Sequence, residues 1–197
     1  ISYEIIKQYN GSGLISREYN GSPYLLLKII YPDYDWLPWK FTSTPQNYWD
    51  NKENQKMYIF WLQDILKIKS MEDWYQITSD KINNNYGCGL IGNKYKGSPY
   101  LLLKSIYPEY DWLPWKFHNG VPQNYWDDIE NQQKYTKWLK YTLKYKSMED
   151  WYNISYEIIK RNYGSGLVAH KYNGSPYLLL KTVYPDYDWL PWKFHSG

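Results

Sequence analysis

The chain has 197 residues, a formal net charge of +3 and a mean hydropathy of −0.76. So mild a charge excludes an obligate nucleic-acid tail, and no apolar run is long enough for a membrane-spanning helix. The single cysteine, Cys88, excludes a disulfide framework and a Cys-cluster zinc site, three histidines leave little for metal or acid–base work, and a 21% aromatic share excludes a disordered chain.

The chain opens on Ile1, without a basic and then apolar leader, which reads as an excised piece of a longer protein. Its elements then come in repeated blocks. Residues 21–28 (Gly-Ser-Pro-Tyr-Leu-Leu-Leu-Lys) recur at 97–104 and 174–181. Ser as N-cap and Pro as first helical residue predict a helix, 24–31 in the first copy and 177–184 in the third, stopped by the following proline. Leu25, Leu26, Leu27, Ile29 and Ile30 make the first of these apolar nearly all round, which predicts burial on several sides. Residues 31–41 recur at 107–117 and 184–194 with Asp33 becoming Glu109. The internal proline of Trp-Leu-Pro-Trp-Lys-Phe bars a regular helix, so this stretch is expected to form an aromatic strap, with Trp36, Trp112 and Trp189 as equivalent buried anchors.

Residues 45–50 recur at 122–127 and open the longest predicted helices, 48–68 and 125–145. In the second, Trp126, Ile129, Tyr135, Trp138, Leu139, Thr142 and Leu143 form the expected buried stripe. Residues 70–75 recur at 147–152, and Ser147 followed by Met148, Glu149 and Asp150 reads as an N-cap with acids in the first turn of a short helix through Trp151 and Tyr152. Short helices follow at 155–161 and 167–172, the first ended by Gly164 and Gly166, where positive φ is cheap. Asn173-Gly174 is a turn. The expected fold is therefore all-α. It is a tandem repeat of about 77 residues with copies at 1–70, 71–147 and 148–197, the outer two incomplete. Each unit is several short helices with a helix-turn-helix-like half, the strap and one longer helix.

Two short helices around a glycine-containing turn match helix-turn-helix geometry, whose second helix enters the DNA major groove. A plain helical hairpin is the weightier reading, because the presumed recognition helix offers mainly Tyr177, Lys181 and Thr182. Identical Trp and Tyr positions read as core before they read as stacking platforms. The acid pairs Asp33/Asp35, Glu109/Asp111, Asp186/Asp188 and Glu72/Asp73 recur in equivalent places and so read as caps and turn residues. The repeat position of His118 and His195 is Thr42 in the first copy, and Cys88 is a small turn residue matching Ser12 and Ser165. Lys134, Lys137, Lys140, Lys144 and Lys146 make the second long helix basic, with a solvated surface as the plainer account.

Differences between copies cluster. Ser16-Arg17-Glu18 becomes Gly92-Asn93-Lys94 and then Ala169-His170-Lys171; Asn20 becomes Lys96 and then Asn173; Ile29 becomes Ser105 and then Thr182. Readout residues of array proteins vary in this manner on a constant scaffold, although drift at exposed sites produces the same pattern. The candidate ligand-binding residues are Arg17, Asn93, Lys94, Lys96, His170 and Lys171, with Lys28, Lys104 and Lys181 on the next helix.

The run Tyr-Pro-Asp/Glu-Tyr-Asp-Trp-Leu-Pro-Trp-Lys-Phe, with Pro-Gln-Asn-Tyr-Trp-Asp and Met-Glu-Asp-Trp-Tyr, resembles an uncharacterised tandem Trp-rich repeat family expanded in arbuscular mycorrhizal fungi. The Gly-x-Gly-Leu to Tyr-x-Gly-Ser half is loosely similar to helix-turn-helix repeats found beside homing endonucleases. The first resemblance implies no established activity. The expectation is a non-enzymatic, intracellular binding protein without cofactor, metal or membrane. Its first candidate ligand is nucleic acid, DNA above all, which would make it nuclear. A protein-interaction scaffold is the alternative, and carbohydrate or small-ligand binding on exposed aromatics is a third reading.

Overall fold

A computed structural model of the chain describes residues 2–194. His195 and the two residues after it, the end of the expected third copy, lie outside the described residues. Among the described residues all regular structure is helical, as the caps and periodicity predict. The chain divides into two compact units, Ile1–Trp112 and Leu113–Gly197.

The first unit contains α1 (Tyr3–Gln8), α2 (Ser12–Glu18), α3 (Pro23–Ile30), the long α4 (Lys52–Leu66), α5 (Ser79–Ile82), α6 (Cys88–Tyr95) and α7 (Pro99–Ile106). Short 3₁₀ turns at Pro38–Lys40, Tyr48–Asp50 and Met71–Gln76 link them. The second unit starts within the strap, with a 3₁₀ turn at Pro114–Lys116 and another at Tyr125–Asp127. It continues through the long α8 (Ile129–Thr142), a 3₁₀ turn at Glu149–Asn153, α9 (Tyr156–Arg161), α10 (Ser165–Tyr172), α11 (Pro176–Val183) and the turn Pro191–Lys193. Among the described residues no helix is long and apolar enough to cross a membrane.

Local chemistry accounts for most boundaries. Ser22, Ser98 and Ser175 accept hydrogen bonds from the backbone N–H of Leu25, Leu101 and Leu178, each with proline at the first helical position. The preceding turns use positive φ at Asn20–Gly21, Lys96–Gly97 and Asn173–Gly174. Cys88 opens α6 rather than sitting in the turn before it.

Gly164 and Gly87 have ordinary negative φ, −96° and −91°, and Gly166 lies within α10, contrary to the expectation that glycine ends the helix through its backbone freedom. The positive φ falls instead on Tyr163 and Tyr86, at 64° and 65°. The glycines are needed for space: a Cβ at Gly87 would run into the Tyr58 hydroxyl, and one at Gly164 into that of Tyr135.

The expected stripe of the second long helix also shifts. Ile129 is exposed, while Gln132, Tyr135, Thr136 and Leu139 are buried. Asp128 is extended, with ψ 120°, and caps α8 by accepting from Glu130 N–H. Trp126 therefore sits in a separate turn and does not set the helix phase.

The α3 helix is not buried all round. Ile29 and Ile30 are exposed, although Ile106 of α7 and Val183 of α11, which match Ile30, are buried. The cause is packing: α4 lies against α7 and α8 against α11.

The core of the second unit gathers Trp115, Trp126, Tyr135, Leu139, Trp151, Leu167, Val168, Leu180 and Trp189. Trp115 stacks on Trp126 at 6.2 Å and meets Tyr135 edge-on at 5.3 Å, and Trp39 repeats this with Trp49 at 6.5 Å and Tyr58 at 5.5 Å. The strap is pinned at its start, where the indole N–H of Trp36, Trp112 and Trp189 donates to the carbonyl of Tyr31, Tyr107 and Tyr184. Trp112 and Trp189 are buried; Trp36 is only half-buried, and Trp192 is 77% exposed.

Candidate ligand-binding site

Each long helix is clamped to the helical hairpin that follows it. The Tyr58 hydroxyl donates to the carbonyls of Ile82 and Asn85 at 3.2 and 2.9 Å, and Tyr135 to those of Ile159 and Asn162 at 3.4 and 3.0 Å. Burial pushes both hydroxyls well above the usual tyrosine range, so they stay neutral donors. Gln55 donates to Trp49 O at 2.6 Å and accepts from the Tyr95 hydroxyl at 2.5 Å. Gln132 does the same with Trp126 O at 2.8 Å and with the Tyr172 hydroxyl. The buried amide is thus satisfied from both sides, which offsets its desolvation.

This clamp takes up part of the hairpin surface predicted to bind a ligand. Lys94 pairs with Asp50 and Lys171 with Asp127. Lys28, Lys104 and Lys181 each hold Nζ 5.6–5.7 Å over the ring of Tyr24, Tyr100 or Tyr177 one helical turn back. Arg17, Asn93 and His170 share an exposed position on α2, α6 and α10, and Lys96 is exposed in the left-handed turn before α7. The presumed recognition helix α11 turns Leu179, Leu180 and Val183 inward, and the Thr182 hydroxyl donates to Leu178 O.

The recurring acid pairs Glu72/Asp73 and Glu149/Asp150 have structural partners. Asp73 accepts from the backbone N–H groups of Lys69 and Ser70, and Asp150 from those of Ser147 and Lys146, which holds both carboxyls below the usual range. The Tyr110 hydroxyl donates to Glu72 at 3.0 Å and Tyr187 to Glu149 at 2.5 Å. That bond lowers the Glu149 carboxyl and pushes Tyr187 up to about 12. Among the described residues no three His, Cys, Asp or Glu gather closely enough to hold a metal ion.

A different surface collects cationic and aromatic groups. An open groove of about 610 Å³ is lined by Lys137, Lys140 and Tyr141 of α8, Tyr145 and Lys146 after it, and Tyr184 at the end of α11. Lys137 and Lys140 lie one turn apart on the same helix face. Tyr145 meets Trp151 edge-on at 5.2 Å and Trp151 meets Tyr184 at 6.1 Å, so the buried indole fixes two walls of the groove. The Tyr141 ring is 73% exposed. Asp150 lies near Lys140, with its carboxylate turned to the Ser147 and Lys146 amides. At the matching positions of α4 stand Phe60, Gln63 and Asp64, so the basic character is particular to α8. Sequence reasoning found the five lysines but not the groove, because Tyr184 comes from another element and only packing brings it beside them.

No protein-family model, curated protein or solved structure matches this chain. The likeness to Trp-rich and homing-endonuclease-associated repeats rests on the sequence motifs alone.

Proposed function

We propose that this chain is a non-enzymatic tandem-repeat binding protein that holds single-stranded nucleic acid in the α8 groove. The observation that carries this reading is the convergence of Lys137, Lys140 and Lys146 with Tyr141, Tyr145 and Tyr184 around one open cleft. Cations on the wall attract the phosphate backbone, and an exposed tyrosine gives a base a face to stack on, which contributes about 1–3 kcal/mol per base. Duplex reading by the hairpins is less well supported, because Lys94 and Lys171 are held in ion pairs, Lys28, Lys104 and Lys181 lie over tyrosine rings, and the second helix is mostly apolar. A non-enzymatic role fits the acids Glu72, Asp73, Glu149 and Asp150, which are occupied by backbone and tyrosine hydrogen bonds. A repeat of about 77 residues fits the same Trp–Gln–Tyr and Tyr–carbonyl bonds appearing at both long helices.

Fluorescence anisotropy of labelled oligo(dT), oligo(U) and a mixed-sequence duplex tests the proposal. Single strands are expected to bind more tightly than the duplex, and Lys137→Ala/Lys140→Ala/Lys146→Ala to abolish that binding at unchanged melting temperature. Retained binding in the triple variant, together with loss in Arg17→Ala/Asn93→Ala/His170→Ala, would return recognition to the hairpins.

A further inference from the structure

The hairpin α1–α3 exposes a face that a long helix covers at the two matching hairpins. Residues 2–7, Ser-Tyr-Glu-Ile-Ile-Lys, are identical to residues 155–160 at the start of α9. In the two later copies this hairpin is covered by a long helix, α4 over α5–α7 and α8 over α9–α11. Leu90 and Leu167 are then fully buried, whereas the matching Leu14 is 52% exposed. Ile106 and Val183 are 6% and 4% exposed, and the matching Ile30 is 52%. Gly11 stands where Gly87 and Gly164 make room for a tyrosine hydroxyl. A Cβ on Gly89 would come within 3.2 Å of the Trp49 indole nitrogen, but one on Gly13 would meet nothing within 4 Å. Terminal caps of repeat arrays carry a polar outer face, and this face carries Leu14, Ile29 and Ile30.

One position departs from the pattern. Lys94 and Lys171 pair with Asp50 and Asp127 in the turns that lead into the covering helices, and the first copy has Glu18 at that place. An acidic residue opposite Glu18 would be repelled, and a lysine or arginine attracted.

We propose that the face built by α1, α2 and the end of α3 docks the long helix of another repeat copy, and that Glu18 selects one with a basic residue in place of Asp50 or Asp127. The docked segment carries Trp-x₅-Gln-x₂-Tyr, with its tryptophan in the turn just ahead of the helix. Its tryptophan lies over Gly13, its tyrosine hydroxyl reaches the Ile6 and Tyr9 carbonyls, and its glutamine meets the Tyr19 hydroxyl. This surface is separate from the α8 groove and does not depend on the nucleic-acid reading.

The test fuses a copy of residues 122–153 directly ahead of Ile1, reproducing the junction that the segment has with Ile154 in the chain. Backbone hydrogen exchange over residues 12–19 is then compared with that of the unfused chain. With Asp127→Lys in the fused copy, exchange is expected to slow by about tenfold or more, as for amides moved under a packed helix. With the native Asp127 the protection should be weaker by about two- to fivefold, the scale of a part-exposed ion pair. Adding Glu18→Lys should reverse that order. Leu14→Asp is exposed in the unfused chain and should leave its melting unchanged, yet it should restore fast exchange in the fusion. Unchanged exchange in both fusions overturns the docking face. Equal protection whatever the charges at 127 and 18 overturns the selection by Glu18.

Discussion

At the scale of single residues, the glycines of the hairpins show how a composition signal can be right for another reason. Gly164 does follow the helix whose end it was expected to mark, and Gly87 holds the matching place, but the backbone at both is ordinary and the left-handed turn is made by Tyr86 and Tyr163. What requires glycine is the approach of Tyr58 and Tyr135, whose hydroxyls reach the carbonyls at the end of the preceding helix. Gly164→Ala should therefore destabilise by roughly 1–3 kcal/mol, the usual cost of overpacking a filled site. Combining it with Tyr135→Phe removes the overlapping oxygen, so the double variant should lose less than the two single losses added together. Urea denaturation of the four proteins measures this. A Gly164→Ala midpoint equal to that of the parent would show that space at this position is not limiting. No pattern in one sequence distinguishes a glycine kept for φ from one kept for a neighbour 29 positions away; the contact exists only in the fold.

At the scale of elements, the strap shows one motif in different surroundings. Trp112 is buried against Tyr75 at 5.5 Å, with its indole N–H on Tyr107 O. Trp192, in a sequence identical to that around Trp39 and Trp115, is largely exposed. Trp112→Ala should cost roughly 3–5 kcal/mol, the range for a large buried aromatic. Trp192→Ala should stay within about 0.5 kcal/mol, as for a surface change. Denaturation midpoints that moved equally would mean that motif identity, not packing, sets the contribution. The same contrast bounds what the sequence makes legible. Caps such as Ser98 before Pro99, the proline stops and the all-helical class follow from backbone chemistry within a few residues, and they were readable. The exposure of Ile29 and Ile30 was not, because it depends on which helix lies across α3. Nor was the phase of α8, which Asp128 resets by capping the helix after Trp126. The candidate residues on the hairpins are exposed, but the partners that occupy Lys94 and Lys171 come from the turns ahead of the long helices and required the fold to appear.

At the scale of the whole molecule, a net charge of +3 over 197 residues leaves little general attraction for a polyanion. If nucleic acid binds, the attraction is local, and its salt dependence counts the contacts. Three lysines line the α8 groove. For a single strand each phosphate contact contributes roughly −0.7 to the slope of log K against log salt, so three contacts give a slope of about −2. The hairpin lysines that lie in ion pairs or over rings add to this slope only if those pairings open. Titrating oligo(dT) from low to high salt by anisotropy therefore separates the two surfaces. A slope near −2 that flattens in the Lys137→Ala/Lys140→Ala/Lys146→Ala variant places the strand in the groove. Stacking on Tyr141 is nearly independent of salt, so Tyr141→Ala should lower affinity at every salt concentration and leave the slope unchanged. A slope two or three times steeper, and unaffected by the triple variant, would require a longer phosphate track than this groove provides and would sink the assignment of binding to α8.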